Sequence, residues 1–181
     1  MRGRVASADT MGSVTRAVEA SGWSGVVLPR TSVLGVSLFP VVAIDQAVWA
    51  ERISNNQPPE HDRSTLAVWE SWIHELGDCP PRSPLTIVGF VSTAAQPQYA
   101  LEALGRVSGF GAGMWVTQAE SPRSITLAEF DVADTWVVRE RDSAVLVEGR
   151  PGPAATACRM TSTRHKEEQL FAWALDVGVG I

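Results

Sequence analysis

Residues 129 to 150, EFDVADTWVVRERDSAVLVEGR, hold the densest set of side chains able to do chemistry. Glu129, Asp131, Asp134 and Glu148 are carboxylates, and Arg150 completes a Glu-x-Arg spacing. Acids that converge on one side of a sheet can hold a divalent ion through oxygen ligands, and the ion can activate water. Asp131, Asp134, Glu148 and Arg150 are therefore the candidates for a small metal-dependent hydrolase or nuclease. Strand parity tests them, because successive side chains point to opposite faces. Phe130, Val132, Trp136 and Val138 are even and make an apolar face on which Asp134 is the exception, whereas Glu129 and Asp131 are odd. If the loop near Arg141 and Asp142 has an even number of residues, as two-residue turns do, Trp136 pairs with Val147 or Gly149 and Asp134 and Glu148 lie on opposite faces, whereas an odd loop would bring them together and put Glu148 on the face of Trp136. Arg150 also cannot readily lose a proton as a lysine can. The spacing favours a solvated face, with no metal and no cofactor expected.

Other candidates read as structural. Gly105, Gly109, Gly111 and Gly113 follow a helical pattern and precede a strand, the reverse of the order a phosphate loop needs. His74 and Asp78 are spaced i, i+4 and Cys79 follows, but a zinc site would also need His61 to fold back from its loop. His74 lies off the apolar stripe and beside Glu70, as a surface histidine paired with a carboxylate would. Cys79 and Cys158 lack C-x-x-C spacing and read as reduced thiols.

Composition narrows the partners. The net charge is −5 with no basic cluster, which argues against a nucleic-acid partner bound through its phosphates. No apolar run is long enough to span a bilayer, and MRGRVASADT lacks the apolar core of a secretory signal, so a cytoplasmic protein without membrane contact is expected. Charged residues are 19% of the chain, below the usual value of about 25%. With seven Trp, that points to contact with another protein or a second copy.

The positioning elements follow from periodicity. Residues 10–21 read as a helix stopped by Gly22, and 25–29 and 32–39 as strands, the second ending near Pro40. Residues 44–53 read as a helix and 54–63 as a loop. Ser64 opens a helix in which Leu66, Trp69, Ile73 and Leu76 share a stripe flanked by Trp72, stopping at Gly77. Strand 85–91, a helix from Pro97 to Gly109 and strand 114–117 make a βαβ unit. Extended segments at 124–139, 144–149 and 154–160 make an antiparallel meander, and a last helix capped near Thr163 carries Leu170, Phe171, Trp173, Ala174 and Val177.

The expectation is one α/β (α+β) domain over residues 1–181, with 1–8 a flexible tail: a single mixed sheet, packed helices, a central βαβ unit, and a C-terminal meander followed by a helix. Trp69, Trp72, Phe171 and Trp173 supply aromatic anchors, with Arg139 and Arg141 orienting contacts at the rim. The function expected is protein binding or assembly without catalysis, with a homodimer as the expected assembly.

Overall fold

In a computed structural model, residues 8–72, 77, 79–152 and 160–179 are described. They form an α/β fold with a mixed, seven-stranded sheet and packed helices. The chain makes two compact units, Met1–Val42 with Ile87–Ala154, and Ala43–Thr86 with Ala155–Ile181. No helix among the described residues is long and apolar enough to cross a membrane.

The first unit opens with α1 (Ala8–Ala20), whose Val14, Ala17 and Val18 are buried on one stripe. Gly22, at φ 70°, ends it: the Trp23 N–H returns to the Val18 carbonyl, as in a Schellman motif. Next come β1 (Val26–Val27), β2 (Thr31–Val33) and β3 (Val36–Ile44). The apolar run 32–39, expected as one strand, folds back on itself. Leu34 and Gly35 both take positive φ and join β2 to β3 in a two-residue hairpin, with Val33 opposite Val36. Leu34 therefore sits in the turn, and its alternation with Val36 and Leu38 does not describe one strand face. Pro40 lies inside β3, not at its end. It falls where the partner of β3 changes from β2, paired up to Leu38, to β1, paired from Val41. Nitrogen and carbonyl of one antiparallel residue point the same way, and the Pro40 carbonyl accepts from Leu28 on that side. The missing N–H would point to that same side, so Leu28 and Pro40 share one bond of the two that such a pair can exchange, at a position just past the last β1 pair, Val27 with Val41.

The parallel part is β4 (Leu85–Ser92), β5 (Ala112–Thr117) and β6 (Trp136–Arg139), connected through α4 (Pro97–Val107) and α5 (Ser124–Val132). The expected βαβ unit is present. A second one follows, because residues 124–132 are helical where an extended segment was expected. Leu127 and Phe130 supply the inward side, and Phe130 is fully buried, stacked on Trp115 of β5 at 4.7 Å. Apolar residues at 128, 130 and 132 imitate strand alternation, yet Val132 is 85% exposed. Parallel pairing of β6 with β5 requires a crossover, which α5 provides. Sheet order is β1-β3-β4-β5-β6-β7, with β7 (Val145–Val147) antiparallel to β6. Alternation sends Val91, Met114, Val116 and Val138 into a core with α1, while Phe90, Trp115 and Val137 are buried on the other face. The antiparallel ending is the β6–β7 hairpin, and residues 154–159 of the expected meander lie outside the described residues, as does the expected tail up to residue 7.

The second unit holds α2 (Gln46–Ser54), α3 (Arg63–Glu70) and α6 (Thr161–Asp176). Asp45 caps α2 by accepting from the Val48 N–H at 3.1 Å, and Asp62 caps α3 by accepting from Thr65 at 2.9 Å. Helix α3 is shorter than its periodicity suggested. Ser71 is its C-cap, with a hydroxyl that donates to the carbonyls of Ala67 and Val68, and Ile73 and Leu76 lie outside the described residues. Met160 is the N-cap of α6, with no side-chain bond, so no hydroxyl near Thr163 performs that task.

Gly89 is the most constrained position in the sheet. A Cβ there would stand 2.5 Å from both the Ala112 carbonyl oxygen and the Trp23 ring. Gly89→Ala should lower stability by about 2–3 kcal/mol through overpacking, read as a lower urea midpoint at unchanged slope.

Candidate functional site

Helices α2 and α6 and the loop after α2 converge on one carboxylate of the second unit. Glu168 of α6 and Arg52 of α2 are fully buried, and Arg164 is only 5% exposed. Arg52 grips Glu168 with both terminal nitrogens, at 3.0 and 3.1 Å. Its other N–H groups donate to the carbonyls of Gln57 at 3.1 Å, Arg82 at 3.0 Å and Pro58 at 2.7 Å. All five guanidinium donors are thereby used. Arg164, one turn before Glu168 on α6, reaches the same carboxylate from Nε at 3.0 Å and also donates to the Pro81 carbonyl. The backbone N–H of Glu60 supplies a further donor to Glu168 at 3.1 Å. Buried charge persists only with this degree of pairing and hydrogen bonding. Aromatic faces complete the enclosure, with Arg52 over Phe171 at 5.1 Å and Arg164 over Trp69 at 5.5 Å.

This network holds one side of a cleft of about 370 Å³. Trp69, Trp72, Pro80, Pro81, Glu70 and Arg164 line it, and Arg82 meets Asp45 at 3.5 Å on its exposed rim. The proline segment is set by its carbonyls: Pro81 binds Arg164, Arg82 binds Arg52, and Pro84 accepts from the Asp45 N–H at 2.9 Å. The Trp72 indole nitrogen is buried with no hydrogen-bond partner among the described residues. Trp69 and Trp72, expected as neighbouring anchors, thus border a single recess.

The other expected contact residues are placed differently. Phe171 is fully buried, edge-on to Trp49 at 4.9 Å, and presents no surface because Arg52 and Trp49 enclose it. Trp173 is half-buried on α6. Arg139 and Arg141 do stand at the hairpin end. Arg139 holds Asp142 through two bonds of 2.9 and 2.7 Å and donates to the Glu120 carbonyl, while Arg141 pairs with the Glu120 carboxylate at 2.7 Å.

The carboxylate candidates do not form a shared cleft. Asp131 is exposed on α5, and Glu148 is exposed just beyond β7. The β6–β7 register has Val138 opposite Val145, as an even loop requires, and Val137 opposite Val147, across a shift that the even loop did not anticipate. The loop before β7 is longer than a two-residue turn, with Ser143 at φ 56°. Beyond the shift, residues of like parity face one another, as Val137 and Val147 do, and Asp134 meets Arg150 in an exposed ion pair of 2.8 Å. Among the described residues no group of three or more His, Cys, Asp or Glu can hold a metal ion. His74, Asp78 and Cys158 lie outside the described residues.

No family model matches the chain, and no curated protein or solved structure does so either.

Two measurements follow from these ion pairs. Glu168→Ala strands two buried guanidiniums and should lower unfolding free energy by about 3–5 kcal/mol in chemical denaturation, with Glu168→Gln costing less. The second concerns Asp142, whose carboxyl is held down at about 2 by the Arg139 hydrogen bonds and then by the Ala144 N–H. A depressed folded value means that the contact is intact above the ordinary carboxylate range and is lost as pH falls through about 2. Carboxyl-detected NMR titration should give that midpoint in the native chain and a higher one in Arg139→Ala.

Proposed function

We propose that this chain is a non-catalytic protein-binding protein whose contact surface is the Trp69–Trp72 cleft of the second unit, with a second copy as the partner. The observation that supports this reading is two indoles lining one open recess, backed by a buried guanidinium that is already fully engaged. Trp and Arg dominate binding energy where they are held in place, because little freedom remains to be lost on association. A partner side chain entering between Trp69 and Trp72 displaces water from apolar surface and meets the Arg82–Asp45 pair at the rim. In a twofold homodimer the same patch appears on both copies, so each cleft would receive its counterpart's protruding group.

The hairpin end carrying Arg139, Arg141, Glu120 and Asp142 is a rigid, charged surface of the first unit, suited to orienting a partner. Exposed Tyr99, Ile125 and Val132 add apolar surface to the same unit.

Sedimentation equilibrium from about 1 to 100 µM tests the reading. The native chain should show a concentration-dependent dimer, and Trp69→Ala with Trp72→Ala should weaken association at least about tenfold. Arg141→Ala should change it little. A native chain that stays monomeric throughout that range would remove self-association as the activity.

A further inference from the structure

The two-residue turn between β2 and β3 is built on a residue poorly suited to it. Leu34 takes φ 50° and Gly35 φ 80°, with Val33 opposite Val36. A turn with positive φ at both central positions favours Asn-Gly or Asp-Gly, because a side chain crowds the backbone in the left-handed region. Asn56, Asp134 and Ser143 are the other non-glycine residues at positive φ among those described, and all three are polar. Asn and Asp compensate by hydrogen-bonding the local backbone, which leucine cannot do.

Leu34 carries a second cost. Its side chain is 43% exposed at the hairpin tip, where Ser32 and Ser37, also exposed, face each other across the ladder. One exposed leucine is ordinary. Exposure combined with positive φ is not, since asparagine would remove both costs. Strain kept at a residue with nothing to gain inside the fold points to a contact outside it.

The Trp69–Trp72 cleft has the complementary character. Its rim charges neutralise one another in pairs, Asp45 with Arg82 and Glu70 with Arg164, each at 3.5 Å. The hairpin tip, TSVLGVS, holds no charged residue. An apolar knob on an uncharged stem can enter between the indoles without stranding an ion. Ile125 and Val132 are more exposed, but they sit on α5 with exposed Glu129 and Asp131, acids that would have to approach those of the rim.

We infer that Leu34 of a second copy is the group that enters the Trp69–Trp72 cleft. This rests on the cleft reading proposed above and names its occupant. Leu34 belongs to the first unit and the cleft to the second, so each copy carries both halves of the contact. In a twofold pair the exchange is reciprocal, one leucine given and one received.

The test pairs two surface variants of the full chain. Leu34→Asn should raise the urea midpoint, since asparagine takes positive φ at lower cost, and should weaken self-association at least about tenfold in sedimentation equilibrium from about 1 to 100 µM. Thr86→Arg changes an exposed position of β4 that lines the cleft, so it crowds the recess and leaves both indoles in place, and it should weaken association to a like extent. Mixed in equal amounts, the two variants should associate more than either does alone at the same total concentration, because one keeps the cleft and the other keeps Leu34. Clefts that met face to face would need no leucine and would give no such rescue. Native-like association of Leu34→Asn would overturn the inference and leave the cleft reading standing. A midpoint that falls, or no gain on mixing, would also overturn it, and a monomeric native chain would remove both.

Discussion

A carboxylate withdrawn from water must be neutralised where it stands, and in the second unit that requirement falls on Glu168. Two guanidiniums and one backbone N–H meet it from α2, α6 and the loop after α2. Each guanidinium that serves Glu168 also donates to backbone carbonyls, so Arg52 fastens residues 57, 58 and 82 while Arg164 fastens residue 81. The chain segments that build the Trp69–Trp72 cleft are therefore held by the same ions that would otherwise oppose burial. Hydrophobic packing alone specifies such irregular segments poorly, because their carbonyls need donors wherever they go. Removing the charge set would leave the proline segment without the partners that define its path.

The first unit relies on a different constraint, the parallel alignment of β4, β5 and β6. Parallel neighbours need a connection that returns across the sheet, and two helices of about three turns supply it. Side chains alternate between a face closed by α1 and one carrying Phe90, Trp115 and Val137, so the central strands are apolar on both sides. That explains why LTIVGFVS reads as a continuous apolar run and why Gly89, pressed against Trp23 and the neighbouring strand, has no room for a side chain.

Much of this was legible from residue order. The helices at 8–20, 46–54 and 97–107, the strand at 85–92 and the central βαβ unit follow from periodicity and from Gly and Pro punctuation. Failures arose where one pattern serves two periods. SITLAEFDV is apolar at alternate positions and also at helical ones, and only the need for a crossover separates the alternatives. The run through Leu34 and Gly35 lacks the Asn-Gly or Asp-Gly signal that would mark a tight hairpin, so it reads as one strand. Of the candidate site, Trp69 and Trp72 were visible as helical neighbours, and Arg164 with Glu168 has ordinary i, i+4 spacing. The role of Arg52 was not visible, because its partner lies 116 residues away and nothing local distinguishes it from a surface arginine. The even loop considered near Arg141 fits the Val138–Val145 pair, but a register shift between Val137 and Val138 changes which residue faces Arg150 without leaving a mark in composition.

The segment SNNQPPEHDR has the composition of an exposed connector, the kind of place where proteases nick a folded chain and insertions are tolerated. Its middle is nevertheless sewn to the interior, with the carbonyls of Gln57 and Pro58 on Arg52 and the N–H of Glu60 on Glu168. Cleavage demands that a stretch of backbone lift away into an enzyme's groove, and here lifting would unsheathe a buried ion pair. Hydrophilic composition and susceptibility to cutting therefore part company in this loop.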